Sequence, residues 1–239
     1  MLPDTIFPRI IQFIALVPAI VLHEVAHGYV AWRLGDPTAK SRGRLSLNPL
    51  VHVDLFGTVL IPLVLILMRT SFLFGYAKPV PINPSYFRNP LRGMLYVATA
   101  GPATNLVLAS ATTLLVRAAL IGVPSDLLLS STLGGNLLRI LLAMLYFFIV
   151  WNIVLAMLNL IPIPPLDGSR ILAHFLPAEG RRFLASIERY GFLILVALLA
   201  LGSLGRLFGY AVNGWSSLLG AKWLVAASEY VPWIVASGG

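Results

Sequence analysis

The sequence contains no cysteine and very little charge. Only 11% of its 239 residues are charged, whereas an average soluble domain carries about 25%. Without cysteine the chain has no disulfide and no thiolate ligand, so a metal site would have to use His, Asp or Glu. With so few charges the chain cannot cover a water-facing surface, which predicts that most of it lies in lipid.

Apolar residues, in contrast, make up 58% of the chain and are gathered in long runs. Several runs reach or approach the roughly 20 residues that a membrane-spanning helix needs. These runs cover residues 10–22, 94–120, 140–161 and 190–204. They predict an all-α polytopic membrane protein, a bundle of about 4–6 transmembrane helices. The short run 55–68 and the proline-rich stretch 72–90 predict a re-entrant or extended segment.

The segment His23-Glu24-Val25-Ala26-His27 is the most informative in the chain. On a helix the two histidines share a face, roughly 6 Å apart along the axis, so both imidazoles can reach one ion. Glu24 lies about 100° round the helix from His23, where it can bind a metal-bound water without being a ligand. This pattern is typical of zinc proteases. Two buried histidines beside a structural glutamate are the alternative, but ionisable groups in a membrane helix usually mark a functional site.

A catalytic zinc takes three protein ligands, so two histidines are not enough. The candidates for the third are His52, Asp54, Asp167, His174 and the remaining surface acids. We favour Asp167, because it follows a membrane helix in a proline-broken segment, and irregular backbone at membrane depth is tolerated where it lines a wet cavity. A helix-capping role for Asp167, at the start of a helix beginning near Gly168, is equally compatible with the sequence.

Five segments together resemble the site-2 protease family of intramembrane zinc metalloproteases, in its compact prokaryotic branch without a PDZ domain. They are residues 23–27, 48–54, 75–84, 101–105 and 159–168. The resemblance implies one Zn²⁺ per chain, with ligands at His23, His27 and Asp167 and a general base at Glu24. It also implies an endopeptidase that hydrolyses peptide bonds of membrane-spanning protein substrates by means of a zinc-activated water.

Four further residues are weaker site candidates. Asn159 matches a family asparagine near the active site and is predicted to bind substrate, with an interhelical contact as the alternative. Asn105 is a second substrate-binding candidate, with helix packing as its alternative. His52 and Asp54 are predicted to form an accessory pair near the site, unless they only cap the helix that begins near Leu55.

The net charge of +8 comes from basic residues in short loops between apolar runs. This distribution indicates orientation in the membrane and attraction to anionic lipid, and no binding of nucleic acid. If residues 55–68 dip into the membrane and return, 12 of the 17 Lys and Arg residues share one side, as the positive-inside bias prefers. The dip would place the re-entrant or extended segment beside the active site. We therefore predict a multi-pass protein of the cell (plasma or inner) membrane, with its active site nearer the cytoplasmic side.

The predicted organisation is a protease core at residues 1–207, followed by an apolar tail at 208–239 that is interfacial or forms a further helix. Two alternative functions use the same residues. One is an ion or proton transporter in which His23, Glu24 and Asp167 form a relay. The other is a relative of these proteases that has lost proteolytic activity and only binds membrane segments. The sequence predicts no oligomeric state.

Overall fold

The computed structural model describes residues 6–67, 75, 77–121, 132–191, 193, 194, 197 and 203–218. All regular secondary structure in these ranges is helical. The helices are α1 (Ile6–Arg33), α2 (Thr38–Ser41), α3 (Ile61–Leu67), α4 (Pro90–Leu120), α5 (Leu133–Leu160), α6 (Asp167–Phe175), α7 (Ala178–Ile187) and α8 (Ser203–Leu218). A π-helical stretch (Leu55–Leu60) leads into α3, and short 3-10 turns lie at Pro49–Val51, Pro84–Tyr86 and Glu188–Tyr190.

Three of the described helices are long and apolar enough to cross a membrane: α1 from Arg9, α4 and α5. At 1.5 Å per residue each exceeds the roughly 30 Å of a bilayer's hydrocarbon core. Large apolar side chains such as Ile14, Val107 and Leu141 are exposed on them, as expected for helices that face lipid. The predicted fold class, an all-α membrane protein, is confirmed. The fourth predicted run, 190–204, lies largely outside the described residues.

Helices α1, α4 and α5 pack against one another in a three-helix bundle. Small buried residues of α4, among them Gly93, Ala98 and Gly101, let its neighbours approach closely, as is common between membrane helices. Across the α1–α5 contact, Ile11 and Ala15 pack with Ala143 and Phe147. These three helices form the frame on which the site is built.

The chain leaves α1 and returns to α4 at the same end of the bundle. Helix α1 stops at a turn in which Gly35 has a φ of 105°, a conformation that glycine adopts without steric cost. The next residue, Asp36, is completely buried. Its carboxylate accepts from Thr38 N at 2.9 Å and from Asn83 N at 2.7 Å. The bond from Asn83 N to Asp36 joins the end of α1 to the segment before α4. The chain therefore leaves the bundle after Asp36 and returns to it at Asn83 on the same side.

Residues 37–82, between α1 and α4, are called the excursion below. Residues 55–67 form its short helical part. The π-helical stretch and α3 together are 13 residues long, too short to cross the bilayer alone. Residues 77–83 then run without helix back towards α4. The short helical run and the extended return that the sequence predicts are thus both present among the described residues, whereas residues 68–74 and 76 lie outside them. Re-entry of this segment into the membrane stays a prediction.

Helix α8 includes the first part of the predicted apolar tail. Ala211, Val212 and Trp215 pack against the core of α4 and α5, and Trp215 Nε1 lies 3.4 Å from Thr113 Oγ1 of α4. The tail begins inside this helix, since the predicted boundary between residues 207 and 208 falls within α8. Residues 219–239 lie outside the described residues.

Candidate metal centre

His23, His27 and Asp167 meet at one buried point between α1, α4 and α6. The two Nε2 atoms lie 3.0 Å apart. Asp167 Oδ2 lies 3.3 Å from Nε2 of His23 and 3.1 Å from Nε2 of His27. The exposed fractions of the three residues are 5%, 6% and 7%. Residues 144 positions apart in the chain are thus brought together with their potential donor atoms facing one another.

The hydrogen bonds of the two imidazoles fix which nitrogen of each ring carries the proton. His27 Nδ1 lies 2.7 Å from the carbonyl oxygen of Val97. A carbonyl can only accept, so this Nδ1 donates. His23 Nδ1 forms a short hydrogen bond with Asn105 Oδ1. In the neutral rings both Nε2 atoms are therefore unprotonated, and their 3.0 Å approach brings two lone pairs together.

The donor set fits a zinc ion. Two imidazole lone pairs and a carboxylate oxygen face one another, and Asp167 Oδ2 is buried without a hydrogen-bond donor among the described residues. Such an arrangement is repulsive unless a cation lies between the three groups. At ligand distances of about 2.0–2.1 Å, the edges of a tetrahedral zinc site are about 3.3 Å long. The observed separations of 3.0, 3.1 and 3.3 Å match that geometry.

Asp167 is the first residue of α6 and not its cap, which is Leu166, and α6 has no side-chain capping hydrogen bond. The geometry therefore favours the ligand interpretation of Asp167 over the capping interpretation.

Two glycines of the recognised motifs make room for this cluster. A Cβ on Gly101 would lie 2.4 Å from His27 Nε2 and 2.5 Å from His23 Cε1. A Cβ on Gly168 would lie 2.4 Å from the carbonyl oxygens of Leu160 and Ile161. Only glycine lets α4 approach the imidazoles, and only glycine lets α6 start against the end of α5.

The carboxylate of Glu24 is held separately from the metal cluster. It is half-buried, and its Oε2 accepts a hydrogen bond from the backbone N–H of Val80 at 3.0 Å. Lys78, two residues earlier, donates its N–H to the carbonyl of His52 at 2.9 Å. Both N–H groups of this extended stretch thus point into the protein, and one of them orients the predicted base.

The two asparagine candidates lie in different surroundings. Asn105 is completely buried; besides His23 its carboxamide contacts Asn152 and the carbonyl of Ala19. These partners favour a positioning role over contact with substrate. Asn159 is half-buried near the end of α5, and its Nδ2 donates to Leu155 O of its own helix at 3.0 Å. Its predicted contact with substrate stays a prediction.

His52 and Asp54 are not brought into the metal cluster. Asp54 caps the helical stretch that follows, since its Oδ1 accepts from Phe56 N at 3.0 Å and Gly57 N at 2.8 Å. The capping alternative thus describes Asp54. His52 is buried, bonds Ser46 O at 2.8 Å, and forms part of the wall of an apolar cavity of about 250 Å³ beside α1. An accessory role for either residue stays a prediction.

Sequence reasoning missed three groups at the site: the carbonyl of Val97, the N–H of Val80 and the side chain of Asn152. Backbone groups carry no signal in the sequence. Asn152 did carry one, because it is a polar residue in the middle of a long apolar helix, where such side chains usually bond a neighbouring helix.

Comparisons with known proteins fit this geometry. The model of "Peptidase family M50" matches residues 128–202. The "Putative zinc metalloprotease YwhC" of Bacillus subtilis (strain 168) is 38% identical over 200 residues, 82% of this chain and 82% of that protein. The chain belongs to peptidase family M50, the site-2 proteases. The "Putative zinc metalloprotease Rip2" of Mycolicibacterium smegmatis is 32% identical over 221 residues, 92% of this chain and 75% of that protein. No solved structure matches.

Membership of the M50 family confirms the resemblance that the sequence segments indicated. Together with the three apolar helices it identifies a membrane-embedded peptidase. Asn159 and Asp167 lie within the range that the family model matches, whereas the helix with His23 and His27 precedes it.

Proposed function

We propose that this M50 member is a zinc endopeptidase that cleaves membrane-spanning proteins, with one Zn²⁺ held by His23, His27 and Asp167. The observation that carries the proposal is the convergence of two imidazole lone pairs and one carboxylate oxygen within 3.3 Å of each other. The choice of metal is supported by the relatives, which carry the names "Putative zinc metalloprotease YwhC" and "Putative zinc metalloprotease Rip2".

The chemistry assigned to this site needs a base beside the metal. Zinc, when bound, polarises the peptide carbonyl and lowers the pKa of water to about 7. Glu24 lies next to a ligand in sequence and is outside the ligand cluster, so its carboxylate is free to take a proton from water and return it to the leaving amine. Its bond to Val80 N holds one oxygen and leaves the other available.

The substrate is proposed to bind in extended form beside residues 77–83. A helical substrate hides its carbonyls in its own hydrogen bonds, so it must unwind before it is cleaved. Extended peptides commonly bind along an exposed backbone edge. The N–H groups of Lys78 and Val80 are used inside the protein, so the substrate is proposed to donate its own N–H groups to carbonyls of this stretch. Asn159, whose side chain is half-buried near the end of α5, is the side chain proposed to bond the substrate backbone.

The site is proposed to open towards the cytoplasmic side of the cell membrane. Support comes from the bond between Asp36 and Asn83, which brings the basic loops around Lys40 and Arg88 to one end of the bundle. Single cysteines at these two exposed positions can be labelled with an impermeant reagent in intact cells. Protection of both is expected. Labelling of one but not the other would show a full crossing between them and refute this topology.

A reconstituted cleavage assay tests the function. The full chain is purified, placed in liposomes with a single-span reporter protein, and analysed for metal and for cleavage products. We expect one zinc per chain, cleavage within the membrane span, loss of cleavage on chelation and recovery on adding zinc. Transport of ions without cleavage would support the transporter alternative. Stoichiometric zinc without cleavage of any reporter would support the inactive relative.

A further inference from the structure

A chain of hydrogen bonds links helix α5 to the metal-binding face of His23. Asn152 Nδ2 lies 2.7 Å from the carbonyl oxygen of Phe148. Asn152 Oδ1 lies 2.8 Å from Asn105 Nδ2, and Asn105 Oδ1 bonds His23 Nδ1. The four groups come from three helices, and Asn105 and Asn152 are both completely buried.

The direction of this chain is fixed at its far end. The Phe148 carbonyl can only accept, so the amide nitrogen of Asn152 must face it and the amide oxygen of Asn152 must face Asn105. Asn105 then presents its nitrogen to Asn152 and its oxygen to His23. An oxygen at that place requires a proton on His23 Nδ1, which leaves Nε2 with the lone pair that a metal needs.

From this geometry we infer that Asn152 is a positioning residue for the zinc site: through Asn105 it sets the tautomer and orientation of His23. The inference rests on the proposed zinc function. Hydrogen-bond partners of metal-ligating histidines commonly set ring orientation and ligand basicity. Asn152 would extend this control by one residue and anchor it in α5, the helix that leads to Asp167.

Removing the anchor frees Asn105 to turn over. Without the oxygen of Asn152, the amide nitrogen of Asn105 keeps only the longer contact to Ala19 O at 3.4 Å. The flipped amide would place its nitrogen against His23 Nδ1, which favours the other tautomer, with the proton on Nε2. That tautomer cannot ligate zinc through Nε2.

The test compares Asn152→Leu with Asn152→Asp and with Asn136→Leu. Asn152→Leu removes the oxygen that accepts from Asn105, whereas Asn152→Asp retains it. Asn136→Leu makes the same exchange at an exposed position of α5 and is the matched control. We expect about tenfold weaker zinc binding in Asn152→Leu, at the lower end of the roughly 10–100-fold range for such partners. Asn152→Asp and Asn136→Leu should bind zinc within about twofold of wild type, a change too small to mark a lost partner.

A second readout separates positioning from mere packing. The ¹⁵N shifts of His23 in metal-free protein, assigned by their loss in His23→Gln, report which ring nitrogen is protonated. Wild type should carry the proton on Nδ1, and Asn152→Leu should move population to Nε2. A wild-type proton on Nε2 would overturn the inference, even if the leucine variant did not fold. Unchanged zinc affinity and tautomer in a folded Asn152→Leu would overturn it too.

Zinc binding by the wild type separates this inference from the proposed function. Wild-type protein that binds no zinc would overturn the proposed function and the role of Asn152 with it. Tight zinc binding in both wild type and Asn152→Leu would overturn the role of Asn152 alone.

Discussion

His23 and Glu24 are neighbours in α1, but different regions of the molecule hold their side chains. His23 faces the bundle, where its Nδ1 bonds Asn105, a completely buried residue of α4, and its Nε2 faces Asp167 of α6. Glu24 faces the excursion between α1 and α4, and the partner of its carboxylate is one backbone N–H of Val80. The ligand side of the site therefore depends on helix packing, while the base side depends on a non-helical segment.

This difference predicts that metal binding and catalysis can be separated by mutation. Changes in the bundle should alter zinc affinity and, with it, activity. Changes in residues 77–83 should alter the turnover rate and leave zinc in place. Changes in the excursion away from Glu24 should affect only stability.

The largest effect is expected on the ligand side, for Asp167→Asn. The amide keeps the size of the side chain but removes the negative charge that faces two imidazoles at 3.3 and 3.1 Å. Zinc affinity should fall by more than the roughly 100-fold upper range of an outer-shell change, and cleavage should be lost. Metal analysis after dialysis against a chelator measures this. Glu179→Gln, at an exposed acid of α7, is the control. If Asp167→Asn kept the zinc content of the wild type, the third ligand would have to be His52 or Asp54 instead.

An intermediate effect is expected on the base side, for Val80→Pro. The substitution removes the N–H that orients Glu24, and proline suits the extended backbone that a residue before Pro81 already prefers. The turnover rate should fall roughly 10–100-fold, which corresponds to a lost hydrogen bond to a charged group of about 1.5–3 kcal/mol. Zinc content should not change. Val80→Ala keeps the N–H and controls for the side chain. Equal losses in both variants would contradict a role for this N–H.

The smallest effect is expected for Asp54→Ala, in the excursion but away from Glu24. It removes the cap of the stretch Leu55–Leu60 and should lower stability by about 1 kcal/mol, read as a lower melting temperature in detergent. Zinc and turnover should remain. Asp54→Asn keeps a capping oxygen and should restore the melting temperature. If both variants lost activity, Asp54 would have the accessory role first considered for it.

Much of the frame was predictable, because membrane helices follow directly from apolar length. The first apolar run, residues 10–22, lies within α1, which is observed at Ile6–Arg33. The short run 55–68 and the prolines after it indicated the excursion for the same reason: neither can span a bilayer as a helix. The return of the chain to the end of α1 was not predictable in this way. It depends on the long-range bond between Asp36 and Asn83, which no local sequence pattern specifies.

The site was predictable where chemistry fixes residue type and spacing. Two histidines one helical turn apart and an aspartate after a proline-broken helix end led to the three residues that converge. The supporting groups were not predictable in the same way. The carbonyl of Val97 and the N–H of Val80 are backbone groups that any residue offers. The link from Asn152 to His23 depends on how α1, α4 and α5 rotate against one another, which the apolar pattern alone leaves open.

The central claim is that His23, His27 and Asp167 hold the zinc while Glu24 acts on water without holding it. Parallel measurement of zinc content and reporter cleavage in wild type, Glu24→Gln and His23→Ala tests it most directly. The account predicts full zinc and nearly no cleavage in Glu24→Gln, and neither zinc nor cleavage in His23→Ala. Full cleavage by Glu24→Gln, or cleavage by wild-type protein freed of metal, would contradict it.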